Sequence, residues 1–547
     1  MSVVRDVAAS GEEMTRGAFD DSKWLPAVVP GTVVTSYLRA SAIPDMNIAD
    51  NQLMISEGFF LDDFWYRNTF EVPSSRKGGR VWLNFDAVNW KADVYFNGEN
   101  VGSIDGAFLR KSFDVTRIVR FGSENRLAVR IHRNATPGNV TVQDMNSPGG
   151  NGGVLGRDNP TIHASIGWDW VPTVRGRNIG IYRDVSLSYS HDVTLSDGWV
   201  VTDLDVEKKD FSVAKATVRV RARNAADKPV KTTIAATIAP GGYSVKTDVE
   251  LAAGETREVE VGTVEMKNPK LWWPVTYGDQ PLYTASIAAS ADGKRSDVHA
   301  FKFGVRKYTY SEGKPLKIYC NGVRIVCRGG NWGMDDANLA AAPRHYDTKV
   351  RLHAEANLTM IRNWVGMTNS DDFYKACDKY GVLVWDDFWL ANPSDGPEPA
   401  DPKMFLANAA DKILKNRHHA SIPLYCARNE GNPPKTLADD LPRLCRELDG
   451  TRHYIPHSAG GTVSGFGPYS VRDPKWYFAN APETLHSERG QPNVPEIETM
   501  REMLGPDHQW PMDVVWGMHD YTRGGAQGMQ RLHGLHPPFL RGAEEPR

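Results

Sequence analysis

No run of about 18 apolar residues occurs anywhere in the 547-residue chain, so nothing in it reads as a membrane-spanning helix. A charge surplus is missing too. Lys and Arg number 64 against 67 Asp and Glu, and a formal net charge of −3 builds no basic field for a polyanion. Nucleic acid is therefore not an expected partner. The amino terminus, Met1-Ser2-Val3-Val4-Arg5-Asp6, has no apolar core of the kind a secretory leader carries. Cysteine is scarce. The five, Cys320, Cys327, Cys377, Cys426 and Cys445, are odd in number and fit no zinc or redox spacing. They are expected to be buried free thiols, and no metal or cofactor is implied.

What the chain does have is length and strand texture. At 547 residues it is too long for one hydrophobic core and divides into about three units. Residues 1–190 carry short alternating runs such as Trp65 to Val72, Arg80 to Phe85 and Ala92 to Gly98. The last ends in Asn97-Gly98, a hairpin pair because both positions tolerate positive φ. A two-sheet antiparallel sandwich of jelly-roll type is expected. Within it, Gly167-Trp168-Asp169-Trp170 follows a Gly-rich loop. Trp168 and Asp169 are either a sugar platform or a packed corner. Residues 191–305 change to Thr, Val, Lys and Ala alternation over about 110 residues, the usual size of an immunoglobulin-like sandwich. Leu271-Trp272-Trp273-Pro274 in this part reads as packing between units.

From residue 306 to 547, apolar strand-length runs alternate with amphipathic stretches, the pattern of repeated strand-helix units. The expected strands are Val323 to Arg328, Thr359 to Val365, Val382 to Phe388, Ser421 to Glu430 and Tyr454 to Ser458. Two more lie before Glu488, and Val514 to His519 is the eighth. Helices are expected at Tyr346 to Ala356, Asp372 to Tyr380 with Gly381 as its cap, Phe405 to Lys415, and Lys435 to Leu448. The count makes a (β/α)8 barrel, whose closing helix is uncertain because Gln530 to Gly542 places His, Gly and Pro where a helix should bury its face.

Two short apolar approaches end in a carboxylate. One is Leu424-Tyr425-Cys426-Ala427-Arg428-Asn429-Glu430 and the other Thr484-Leu485-His486-Ser487-Glu488. If both belong to one parallel barrel, their carboxyl ends open on one face and Glu430 and Glu488 look at each other across a pocket. Two facing carboxylates are the minimum equipment for breaking a glycosidic bond.

With Val29-Pro30-Gly31-Thr32-Val33, Arg328-Gly329-Gly330-Asn331-Trp332, Gly467-Pro468-Tyr469 and the run Ser487 to Glu496, these features resemble glycoside hydrolase family 2. The similarity covers residues from about 20 to about 525 and lies on the side of the β-mannosidases, endo-β-mannosidases and exo-β-glucosaminidases. The resemblance implies an exo-acting retaining hydrolase of β-linked mannosides or related glycosides. Glu430 matches its general acid/base and Glu488 its nucleophile. Retention needs the two carboxyl groups about 5 to 5.5 Å apart, with Glu488 ionised and Glu430 protonated at the start. Asn429 beside the acid is suited to bond the sugar's 2-hydroxyl, and Arg362 is suited to hold the nucleophile charged.

Further candidates follow from strand ends. Trp364 and Trp516 are either a subsite floor or barrel-layer residues. Asp386 and Asp387, and Asn331 with Trp332, are candidates for bonding sugar hydroxyls. Tyr469, Trp476 and His486 read as supporting structure. A protonated amino sugar wants an extra carboxylate, which Asp386 or Asp387 can supply, so exo-β-glucosaminidase stays open beside β-mannosidase. A truncated carbohydrate-binding relative without turnover is the other alternative. The expected partner is an oligosaccharide or glycan. Periplasmic or secreted placement rests on the resemblance alone, and the oligomeric state is not legible.

Overall fold

The computed structural model describes residues 1–140, 153–154, 156–162, 175–333, 339, 343–393, 397–468, 472–482, 484–490, 496–511, 513 and 515–516. The first unit packs two antiparallel sheets face to face. One has the strand order Ser2–Val3, Phe64–Glu71, Glu124–His132, Lys91–Phe96, Glu99–Asp105. The other has the order Val185–Ser190, Arg80–Phe85, Lys111–Asp114. Alternating residues put Phe64, Tyr66, Val94 and Val129 of one sheet in a single core with Val81, Leu83 and Phe113 of the other. The expected Asn-Gly hairpin forms between Lys91–Phe96 and Glu99–Asp105, with Asn97 at φ 49° and Gly98 at φ 94°. Trp168 and Asp169 lie outside the described residues.

The second unit has seven antiparallel strands in sheets of three and four, with its own core of Val218, Val220, Ile234 and Ile287 among others. Trp272 works as the sequence suggests. It is fully buried, and its indole N–H donates to the Asp378 carbonyl at 2.8 Å in the unit that follows.

The third unit is built on a five-stranded parallel sheet, Gly329–Trp332, Met360–Asn363, Leu383–Asp387, Leu424–Arg428 and His453–His457, in chain order. Helices Pro343–Glu355, Asp371–Tyr380, Pro402–Asn416 and Asp440–Leu448 connect the strands. Asp371–Tyr380 is capped by Ser370 and, as its sequence signals, ended by Gly381 in a left-handed conformation. The two faces of the sheet feed different cores. Ile361, Val384, Tyr425 and Ala427 pack with the helices. Met360, Leu383, Trp385, Leu424, Cys426 and Ile455 pack on Tyr308 and Ile318 from a small antiparallel sheet and on Ile325 just after it.

The structure departs from expectation at the first strand, and beyond the fifth it describes only part of the stretch where the remaining strands are expected. Val323–Arg324 belongs to that small antiparallel sheet, with Val323 and Val326 exposed, so it is not the first parallel strand. The first parallel strand starts at Gly329, whose low strand propensity hides it. A Cβ there would lie 1.7 Å from the Met360 carbonyl oxygen, so only glycine allows the pairing. Strands six to eight do not form among the described residues after His457. Only an isolated parallel bridge pairs Ser464 with His486. Of the expected eighth strand only Val515 and Trp516 are among the described residues, and these two are helical and pack on Met500 and Leu504 of helix Ile497–Leu504.

The first unit is fastened to the third beside the parallel strands. Phe108 stacks on Trp389 with ring centroids 4.2 Å apart and 8° between planes. Asn408 accepts the Phe108 N–H at 3.0 Å and donates to the Asp105 carbonyl at 2.9 Å. Arg110 reaches Asp411 of helix Pro402–Asn416 and Asp197 of the second unit, each at 2.8 Å. No helix among the described residues is long and apolar enough to cross a membrane.

Candidate active site

Strand alternation decides which side chains meet. In the parallel register Asn331, Arg362 and Trp385 are neighbours on one face, and Asp387 follows Trp385 by two. Arg362 is 3% exposed and lies at the centre. Its Nη1 donates to Glu488 Oε1 at 2.5 Å, and Nε and Nη2 donate to Asp387 Oδ2 at 3.0 and 2.6 Å. Nη2 also donates to Asn429 Oδ1 at 2.9 Å, and the guanidinium lies 5.5 Å from the Trp385 ring centroid. Burial works against the cation, yet the Asp387 and Glu488 carboxylates outweigh it and raise the Arg362 pKa above its usual range. For Asp387 burial wins. Its pKa is raised although Arg362 and the Val365 N–H pull it down, and its Oδ1 is buried without a hydrogen-bond partner among the described residues.

Glu488 is 6% exposed and comes from the segment paired with residues 464–468. His486 holds that segment, with Nε2 on the Gly467 carbonyl at 2.8 Å and Nδ1 on Ser464 Oγ at 2.9 Å. A carbonyl only accepts, so Nε2 carries the hydrogen shared with Gly467. His486 is thus supporting structure, as expected.

Glu430 lies two residues past strand Leu424–Arg428, at φ 46°, and its backbone N–H donates to Ser458 Oγ at 3.0 Å. Val365, at φ 44°, donates its N–H to Asp387 Oδ2 at 3.0 Å. Left-handed backbone costs a non-glycine residue about 1–2 kcal/mol, and such strain gathers at functional sites. Asn429 is 1% exposed, and its Oδ1 accepts from both Arg362 and Ser458 Oγ, the latter at 3.3 Å. Arg362 therefore ties Glu488 to the Asn429-Glu430 turn.

Other candidates are placed differently. Asp386 is fully buried and faces the helices. It takes Lys412 Nζ at 2.9 Å, Asn363 Nδ2 at 2.9 Å and the Tyr374 hydroxyl at 3.1 Å. Adjacent strand residues point to opposite faces, so Asp386 and Asp387 cannot both serve one pocket. Trp332 is also on the helix side, 5.2 Å from the Phe373 ring and 6.4 Å from Tyr346. Asn331 is exposed and shares the Arg362 face. Trp364 is 6% exposed in the core shared with the helices and the first unit. Trp516 donates to the His508 carbonyl at 2.8 Å and packs against the cluster of Met500, Leu504 and Val515. Tyr469 lies outside the described residues. Sequence reasoning missed Ser458, a lone serine after a strand with no motif around it. It also missed Lys412, a helix lysine that is buried because it answers Asp386.

The five cysteines are free, four of them buried, and burial pushes the Cys320 and Cys327 thiols up to about 12.

The arrangement is that of a multidomain, β-rich protein whose carboxylate site sits at the ends of parallel strands. The description "Glycosyl hydrolase 2 galactose-binding domain-like" matches residues 13–183, and "Glycosyl hydrolases family 2" matches residues 193–306. The chain belongs to glycoside hydrolase family 2. A mannosylglycoprotein endo-β-mannosidase of Lilium longiflorum is 30% identical over 88% of this chain and 56% of its own length. An exo-β-D-glucosaminidase of Streptomyces avermitilis is 28% identical over 95% of this chain and 57% of its own. The chain spans about half the length of the curated relatives it matches. Among solved structures, the β-D-mannosidase from Dictyoglomus thermophilum superposes with a TM-score of 0.78 at 25% identity, covering 95% of this chain and 67% of that one. The Amycolatopsis orientalis exo-chitosanase CsxA gives 0.80 at 23%, covering 93% and 59%, a likeness of fold.

Proposed function

We propose that the chain is an exo-acting, retaining glycosidase that cleaves β-linked mannosides. The observation that carries this reading is Arg362, which donates to Glu488 and to Asn429 from one buried guanidinium. A carboxylate so held stays ionised and aimed, as a nucleophile must. Glu488 attacks the anomeric carbon while Glu430 gives its proton to the leaving oxygen, and a glycosyl ester forms on Glu488. Glu430 then takes a proton from water, which attacks the same carbon, and the product keeps its configuration. The parallel sheet is read as the first five strands of a (β/α)8 barrel, with the units dividing near residues 190 and 305.

A neutral sugar is favoured over an amino sugar because each of the two carboxylates suited to an ammonium already faces a cation of the protein. Asp386 faces Lys412 and Asp387 faces Arg362. A second reading, sugar binding without turnover, draws on the lack of parallel strands after His457 among the described residues.

Nitrophenyl β-glycosides of mannose, glucosamine, galactose and glucuronate, assayed side by side, test the proposal. Preference for the mannoside is expected, with activity lost in Glu488→Gln and in Glu430→Gln. Hydrolysis of the galactoside alone would reject the substrate assignment. A chain that binds mannoside yet never turns it over would support the second reading.

A further inference from the structure

Ser458 follows strand His453–His457, is fully buried, and continues the pairing by donating its N–H to the Arg428 carbonyl at 3.1 Å. Its hydroxyl has one hydrogen and two lone pairs. It accepts the Glu430 N–H at 3.0 Å and faces Asn429 Oδ1 at 3.3 Å, to which it can only donate. One oxygen thus fixes both residues of the Asn-Glu pair.

The consequence is chemical. A guanidinium donates and never accepts, so the amide atom of Asn429 facing Arg362 is the oxygen. Its two lone pairs are taken by Arg362 and Ser458, which leaves Nδ2, a donor, as the group the amide can offer a substrate. A hydroxyl at the sugar's C2 accepts such a hydrogen. A protonated amine at C2 has no lone pair and meets donor with donor.

We propose that Ser458 is a positioning residue that locks Asn429 with its amide nitrogen toward the substrate, so that the site selects a neutral hydroxyl at C2 over a protonated amine. The inference rests on the glycosidase reading above. Two measurements separate them. In wild type, Ser458→Ala and Ser458→Thr, kcat/KM is compared for nitrophenyl β-mannoside and its 2-deoxy analogue, with folding checked by thermal melting. The Ala variant is expected to lose about tenfold or more on the mannoside, the size of one hydrogen bond, and much less on the 2-deoxy substrate. The Thr variant, which keeps the oxygen, should recover the ratio. Equal losses on the two substrates mean a merely structural role and overturn the proposal. So does a wild-type preference for glucosaminide.

Calorimetric binding of the same two mannosides to Glu488→Gln protein, with and without Ser458→Ala, needs no turnover. A 2-hydroxyl preference that vanishes with Ser458 upholds the positioning role even if no glycoside is hydrolysed, in which case only the hydrolase reading falls. A preference unchanged by Ser458→Ala, or no binding of either sugar, overturns it.

Discussion

Replacing Arg362 with Ala removes the guanidinium that joins Glu488, Asp387 and Asn429. Three consequences follow from the geometry. First, two buried carboxylates lose their ion pair with Arg362, and breaking a buried ion pair from one side costs about 3–5 kcal/mol, so the denaturation midpoint should fall clearly. Second, an opposite charge within hydrogen-bonding distance holds a carboxyl down by about 1–3 pKa units. Losing it lets the Glu488 pKa rise, and because the nucleophile must be ionised, the acidic limb of kcat/KM should move up by about 1–3 pH units. At a pH on that limb this alone amounts to about 10- to 1000-fold. Third, Asn429 loses one of two donors, which should lower kcat at the pH optimum as well. Arg362→Lys keeps the charge without the fork and should lie between Ala and wild type in limb position. The assay is hydrolysis of nitrophenyl β-mannoside between pH 3 and 9. A folded Arg362→Ala protein with an unmoved acidic limb would refute the assignment of Arg362 as the group that keeps Glu488 charged.

The Asp63 cluster of the first unit makes a prediction about stability. Burial would push Asp63 up, but His132, the Arg133 N–H and Arg130 hold it at about 2. Against an unfolded value near 3.9 this contributes about 2–3 kcal/mol, present above about pH 4 and lost as pH falls through the folded value. His132 is raised by its bond to Asp63, so its share is present below about pH 6.5 and is lost as pH rises through its folded pKa. Chemical denaturation of Asp63→Asn should show a flatter acid slope, and an unchanged slope counts against the cluster. Phe108→Ala deletes the ring stacked on Trp389 and should cost about 3–4 kcal/mol at the junction of the first and third units, read as faster proteolysis between them. The buried thiols should resist a thiol reagent in the native protein and react on unfolding. Rapid native labelling of Cys377 or Cys426 would contradict their burial.

Local chemistry explains what the sequence made legible. The Asn97-Gly98 turn, the Gly381 cap, and the second, third and fourth parallel strands declare themselves by residues that suit few other conformations. The glutamates stood out because each ends an apolar run. Other features depend on contacts between distant parts of the chain. Gly329 and Gly330 look like a loop until Met360 is placed beside them. Asp386 and Asp387 look equivalent until alternation sends one to Lys412 and the other to Arg362. Val514 to His519 carries strand-forming residues, yet at Val515 and Trp516 packing against helix Ile497–Leu504 overrides that propensity. Ser458 has no pattern at all, and its role exists only because the fourth and fifth parallel strands end side by side.

The central claim is that Glu488 is the nucleophile of a retaining hydrolase. Incubation with a 2-deoxy-2-fluoro β-mannosyl fluoride, followed by intact-mass and peptide analysis, tests it directly. The account predicts one fluoromannosyl ester per chain on Glu488, absent from Glu488→Gln protein. An ester on any other residue, or none on a chain that hydrolyses the chromogenic mannoside, would contradict it.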